Sequence, residues 1–348
     1  MCAVVAIAIA ACSEGTNQVT GLPGYAKSLS EFESRLDTLR VRLKIPGMSA
    51  AIASNGRIAW QKPFGLADLS ANAPVRDTTA FHLASLTKMF ATVVLLRLAD
   101  SGVIALDDPV SKYGVQLAGV RVRHLMSMTS GGAVPGETFS YDGDRFALLD
   151  QVIRQGSGRT FADLVNAWII KPLALTRTAP NVEDAVSFQH SGLDAGAYRS
   201  SMARPYTLSN GAATASRYPG LFSTAAGLIS TSADVARFSL ALDAGTILSA
   251  GARTQMYAPT RSSRGDLPYA LGCFSQVYQD VRVVWAYGLW TAISSLIIKV
   301  PERGLTFVVL ANNEQLSAPY RLGAGALLDS PVAREFLNAF VFNNTPLP

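Results

Sequence analysis

Phe81-His82-Leu83-Ala84-Ser85-Leu86-Thr87-Lys88 is the stretch on which the reading of this chain turns. From Phe81 the pattern becomes helical. Leu86 to Ala99 is apolar on nearly every side, with Lys88 and Arg97 its only charges. A helix of that kind is central and buried, and Gly102 supplies its stop. Ser85 begins it, where free backbone N–H groups and the helix dipole favour developing negative charge. Positions three apart share a helix face, so the Ser85 hydroxyl and the Lys88 amine can meet. Burial disfavours an ammonium and lowers its pKa, and such a lysine can accept a proton from a serine. The bare S-x-x-K pattern has a plainer reading too: Ser85 as a helix cap and Lys88 as a side chain reaching to water. Those residues alone leave both readings open.

Outward from this segment the chain divides into strands, helices and strands. Upstream, Ser28-Leu29-Ser30-Glu31 and Ser30-Glu31-Phe32-Glu33 are both capping-box patterns. Phe32, Leu36, Leu39 and Leu43 follow at helical spacing, predicting a helix that ends near Pro46-Gly47. Met48–Ser54 and Arg57–Lys62 flank Asn55-Gly56, a strong hairpin signal. Downstream, helices are predicted over Phe161–Ile170, ahead of Pro172, and Ala233–Leu242, after the capping pattern Thr231-Ser232-Ala233-Asp234. From Leu271 strands return at Gln276–Val281, Val283–Trp285, Ile293–Val300 and Leu305–Leu310. Pro301-Glu302-Arg303-Gly304 is a turn, and a last helix covers Val332–Phe342. The expected fold is α+β: an antiparallel sheet formed from both chain ends, flanked by helices, with an inserted mostly helical region. The sheet region is placed at 28–84 plus 271–345 and the helical region at 85–270, as one integrated catalytic domain.

The totals narrow the function. With 49% hydrophobic and 16% charged residues over 348 positions, the chain can bury a sizeable core and lacks the signature of disorder. A net charge of +5 without a dense Lys/Arg run lacks the footprint of a nucleic-acid binder. Three cysteines, Cys2, Cys12 and Cys273, give no disulfide framework in the folded body. The three histidines, His82, His124 and His190, are not at ligand spacing, so no metal and no cofactor is expected.

Residues 3–11, AVVAIAIAA, are too short an apolar run to span a bilayer but fit the core of a secretory signal. Ile9-Ala10-Ala11-Cys12 resembles a bacterial lipobox, which would make Cys12 a lipidated, membrane-attached N-terminus. No Lys or Arg precedes the run. Cleavage without lipidation and a buried first strand are the other readings. Residues 1–12 are taken as the signal and 13–27 as a polar tether outside the fold, with the protein exported to the periplasm or envelope.

The segment around Ser85 resembles the nucleophile region of the serine β-lactamase superfamily, which includes class C β-lactamases, D-alanyl-D-alanine carboxypeptidases, D-aminopeptidases and esterases. Further segments are similar to that family's in the same order. Arg123-His124-Leu125-Met126-Ser127-Met128-Thr129-Ser130-Gly131 resembles H-L-L-x-H-T-S-G, and Pro135 to Tyr141 resembles the lead into Y-x-N. Lys171 to Thr178 resembles K-P-L-G-M-x-x-T, and Ala226 to Asp234 resembles A-G-G-L-x-S-T-x-x-D. Val309-Leu310-Ala311-Asn312 fits the strand end before the last helix. The resemblance covers about residues 28–342. It implies that Ser85 is acylated, that Lys88 and Tyr141 share the base role, with a phenolate favoured beside an ammonium, and that the Ser85 N–H forms half an oxyanion hole.

The chain departs from the family in three places. Y-x-N is here Tyr141-Asp142-Gly143, so Gly143 stands where an Asn contacts substrate. K-T-G or H-x-G is here Ala286-Tyr287-Gly288, without the cation; Gly288 keeps the backbone approachable, Leu289 would give the second oxyanion N–H, and the Tyr287 hydroxyl could serve a polar role. Packing on the strand is the other reading of Tyr287. The connection from Gly131-Gly132 to Tyr141 is short, which should leave that side of the cleft open. Without the Lys/His partner for a substrate carboxylate, a small-molecule ester, peptide or amide is preferred over efficient turnover of a β-lactam. A non-catalytic or slow-turnover penicillin-binding-type sensor or binding protein with the same fold is the alternative.

Overall fold

The computed structural model describes residues 24–347. The lipobox and Cys12 lie outside the described residues, as does most of the tether. Residues 24–27, assigned to that tether, belong to the fold instead. Ala26 is buried, and its carbonyl accepts a hydrogen bond from the Thr345 hydroxyl at 2.7 Å.

Helix α1 (Leu29–Arg42) chooses the first of its two capping signals: the Ser28 side chain accepts from the Glu31 N–H. Among the described residues the main sheet has seven strands. They are β1 (Gly47–Ser54), β2 (Arg57–Asp68) and β3 (Ala73–Pro74) from the N-terminal part. β4 (Phe274–Tyr278), β5 (Val281–Trp290), β6 (Ile293–Val300) and β7 (Leu305–Ala311) come from the C-terminal part. Their order is β4-β5-β6-β7-β1-β2-β3, and the pairings are antiparallel. The sheet is therefore built from both chain ends, β1 pairing with β7 from Met48↔Ala311 to Ala53↔Thr306.

Asn55 and Gly56 turn the first hairpin with φ of 52° and 77°, the two left-handed residues a type I′ turn requires. The β4–β5 turn does the same with Gln279 and Asp280, at φ 48° and 62°. No glycine marks it, and the strand expected over Gln276–Val281 breaks there: it ends at Tyr278, and Val281 opens β5. Phe81 and His82 also differ from expectation. They form a short strand against Ile229–Ser230, and Ala84–Leu86 is a 3₁₀ turn ahead of helix α2 (Thr87–Asp100).

Pleat alternation assigns the two sheet faces. One face packs on α1 and on helix α4 (Pro331–Phe336), with Phe32 edge-on to Trp60, Phe307 and Phe340. The other face meets helix α3 (Ser232–Asp243), where Ser49 Oγ lies 2.8 Å from Ser232 Oγ and Thr306 Oγ1 lies 2.8 Å from Ser239 Oγ. Lys299 is buried on that face and neutralised by Asp243 at 3.0 Å. The main core cluster runs from Ala26 through α2 to Val341 and joins sheet and helical regions, with a smaller cluster around Tyr198 and Ile229 beside it. Phe32→Ala should remove three aromatic contacts and destabilise the fold by about 3–5 kcal/mol, read as a lower denaturation midpoint in guanidinium.

Candidate active site

The site forms where the 3₁₀ turn carrying Ser85 meets the α3-side face of the sheet. Ala84 enters that turn with φ 48°, a left-handed conformation that costs a non-glycine residue. The strain is held by surrounding bonds. The Ala84 N–H donates to His82 Nδ1 at 2.9 Å, and the Thr87 hydroxyl donates to the Ala84 carbonyl at 2.7 Å. The Ser295 hydroxyl, from β6, donates to the Leu83 carbonyl at 2.7 Å. The tight turn leaves Ser85 half-buried ahead of the fully buried first turn of α2.

Lys88 is 1% exposed. Its Nζ donates to Ser85 Oγ at 2.9 Å and to the Ala225 carbonyl at 2.8 Å. The rings of Tyr141 and Phe146 stand 5.3 and 5.5 Å from the amine. Burial pulls its pKa down to about 7, against the opposing pull of Asp142 and Asp144. The plainer reading, an amine reaching to water, does not hold.

Tyr141 lies within hydrogen-bonding reach of the Ser85 side chain and the Tyr287 hydroxyl. Its ring is 5.3 Å from that of Tyr287 and stacks parallel to Phe274. Burial, with Tyr287 beside it, pushes the phenol well above its ordinary value. The expected phenolate is therefore corrected: these surroundings favour the neutral phenol. Burial likewise raises Tyr287, to about 12, and drives His82 down to about 3, so His82 is a neutral structural side chain.

Strand β5 closes the other side. Its pairing with β4 ends at Phe274↔Trp285, and among the described residues 286–290 have no strand partner on that edge. A Cβ at Gly288 would stand 2.2 Å from the Leu83 carbonyl oxygen and 2.3 Å from Ser295 Oγ, so only glycine allows this approach to the nucleophile turn. Leu289, partly exposed, follows it. Tyr287 is buried, and a Cβ at Gly323 would come 2.8 Å from its hydroxyl. Gly143 lies beside the amine, its Cβ position 4.0 Å from Lys88 Nζ, where the family's Asn would stand. The short 131–141 connection is not free-standing: Glu137 accepts from the Ser263 N–H at 2.9 Å.

The structure thus gathers Ser85, Lys88, Tyr141, Gly143, Tyr287, Gly288 and Leu289 at one place. Sequence reasoning missed the Ala225 carbonyl. A backbone acceptor carries no side-chain signal, although it immediately precedes the matched segment that starts at Ala226. Also missed was Asp150, whose carboxylate accepts from the Thr224 N–H at 3.2 Å and braces the peptide next to Ala225. Burial raises Asp150 to about 6. Among the described residues no group of three His, Cys, Asp or Glu side chains could hold a metal.

Comparison with known proteins identifies the family. The family described as Beta-lactamase matches residues 32–329, and the chain belongs to that family. Penicillin-binding protein 4* of Bacillus subtilis (strain 168) is 23% identical over 332 residues, covering 82% of this chain and 72% of that protein. Protein flp of Staphylococcus aureus (strain N315) is 27% identical over 193 residues, and the match spans 42% of this chain and only 39% of flp. Among solved structures, an octameric penicillin-binding protein homologue from Pyrococcus abyssi superposes with TM-score 0.77 at 21% identity, covering 91% of this chain and 78% of its own. EstCE1, described as a hydrolase with promiscuous acyltransferase activity, superposes with TM-score 0.68 at 17% identity, covering 88% and 97%. These likenesses show the fold.

Gly288→Ala should force the nucleophile turn away from β5, at a cost of about 1–3 kcal/mol for overpacking. The expected result is a folded protein, by circular dichroism, whose Ser85 reacts with a fluorophosphonate far more slowly than wild type.

Proposed function

We propose that this protein is a serine hydrolase that works through an acyl-enzyme on Ser85. The observation that carries the reading is the buried Lys88 amine, 2.9 Å from Ser85 Oγ, with a pKa near 7. In its neutral form the amine accepts the Ser85 proton as Oγ attacks the substrate carbonyl carbon. The N–H groups of Ser85 and Leu289 receive the resulting oxyanion. Collapse of the tetrahedral intermediate breaks the bond to the leaving group, which takes up the proton now held on Lys88, relayed through the Tyr141 hydroxyl. Water then hydrolyses the acyl ester by the reverse proton path. Tyr141 acts as a neutral donor and relay, and Lys88 is the base.

Substrate preference follows from what surrounds the trio. Ala286 replaces the family's cation, and Tyr287 and the Tyr141 ring make the adjoining wall neutral and aromatic. A neutral ester or amide fits this wall better than a β-lactam, whose carboxylate would lose its usual partner. EstCE1, a hydrolase of the same fold, is in keeping with a hydrolytic reaction. With p-nitrophenyl butyrate and a chromogenic cephalosporin as alternatives, the ester should turn over and the cephalosporin should be hydrolysed slowly. Ser85→Ala should abolish both, and Lys88→Ala should cut acylation by roughly 10²–10⁴-fold. A wild-type protein that forms a penicilloyl adduct but turns over neither substrate would instead be the slow-turnover sensor.

We further propose that residues 1–12 direct export and that Cys12 carries lipid. Growth of an expressing bacterium on radioactive palmitate should label the wild type and leave Cys12→Ser unlabelled; an unlabelled wild type means cleavage without lipidation, or no export.

A further inference from the structure

A sizeable groove lies apart from the catalytic residues. It has a volume of about 1090 Å³ and runs between the β2–β3 end of the sheet and the segments 199–205 and 216–220, and none of the seven site residues lines it. Five arginines do: Arg76, Arg177, Arg199, Arg204 and Arg217. The two acids in its walls are already engaged. Glu183 holds Arg199 at 2.8 Å. Asp68 accepts from the Ser70 hydroxyl and from the Ser70 N–H, lies 3.5 Å from Arg204, and is held down to about 2 by those bonds. Arg76, Arg177 and Arg217 are exposed, and their guanidinium groups have no ion-pair partner among the described residues. Three unspent forks around one concavity form a site for carboxylate or phosphate groups.

The shape and remaining walls define the ligand further. A groove of this volume suits a ligand well above the size of one small anion, and several arginines in its walls suit one that carries more than one acidic group. Met202 and Tyr218 supply apolar surface, and Thr78 and Ser216 supply hydroxyls. Tyr218 is fixed in place by stacking on His82, ring centroids 5.6 Å apart. Apolar ring faces alternating with hydroxyls are what sugar rings present. An extended peptide added to the sheet edge is the less suitable occupant, because the edge strand β3 is Ala73–Pro74 and Pro74 has no N–H to offer. We propose that this groove is a second binding site, separate from Ser85, for an acidic oligosaccharide.

Fluorescence anisotropy of a fluorescein-labelled oligogalacturonate, a carboxylated sugar chain, tests this on the full chain. Binding should occur equally in wild type and in Ser85→Ala, weaken as salt is raised, and be absent for a labelled neutral maltooligosaccharide. The triple variant Arg76→Gln/Arg177→Gln/Arg217→Gln should bind at least roughly tenfold more weakly, since charged hydrogen bonds are lost. These side chains are exposed, so its melting curve should match wild type; if it does not, the three single variants should each weaken binding. No binding by wild type, or binding indifferent to all these substitutions, overturns the proposal. Hexaglutamate binding as tightly as the uronate chain also overturns it and gives the groove to acidic peptides. Because Ser85→Ala is expected to bind, failure of the hydrolase reading and failure of this one are distinguishable.

Discussion

A charged Lys88 would hold its ammonium in the buried interior, hydrogen-bonded among the described residues to one carbonyl and one hydroxyl. The rest of the site depends on that constraint. Burial makes the neutral amine accessible near neutrality, and a neutral amine is what can accept the serine proton. The apolar helix α2 therefore does two things at once. It anchors the core, and it carries the base into that core one turn after the nucleophile. Phe146 and Tyr141 close the remaining space around the amine.

The sheet contributes through contact rather than chemistry. β5 is brought against the nucleophile turn so closely that Gly288 has no room for a Cβ. Ser295 on β6 ties the Leu83 carbonyl down. Together they hold Ala84 in a left-handed conformation and so fix the direction of the Ser85 N–H. A backbone strained at a reactive residue persists because its surroundings over-determine it. Behind Lys88, Asp150 and Thr224 brace the peptide that presents the Ala225 carbonyl. The segment holding nucleophile and base, the strands that fix its turn, and the peptide that receives the amine thus come from three separate parts of the chain.

Much of this was legible in the residues. The Asn55-Gly56 hairpin, the apolar α2 and the Ile/Val-rich β6 and β7 follow from turn chemistry and pattern alone. The meeting of Ser85 and Lys88 follows from helical spacing even though Ser85 sits in the 3₁₀ turn ahead of α2. What was not legible depended on backbone or on tertiary burial. The Gln279-Asp280 turn has no glycine to announce it, and residues 24–27 looked polar yet dock through the carbonyl of Ala26. The protonation of Tyr141 could not be read either. The sequence places a lysine near it, which favours phenolate, but only the fold surrounds it with Phe274, Tyr269 and Tyr287 and reverses the preference. Backbone acceptors such as Ala225 leave no trace in side-chain motifs.

The central claim is that a neutral, buried Lys88 makes Ser85 a nucleophile. It is tested most directly by the pH dependence of the rate at which a fluorophosphonate modifies Ser85, followed by intact-protein mass spectrometry with the adduct mapped to that residue. Because Lys88 must lose its proton to act, the rate should be low in acid, rise through a single limb near pH 7 and then level off. Lys88→Ala should react slowly and lack that limb. A rate that is flat across neutrality, a limb displaced toward the ordinary lysine value, or an adduct on another residue would contradict the account.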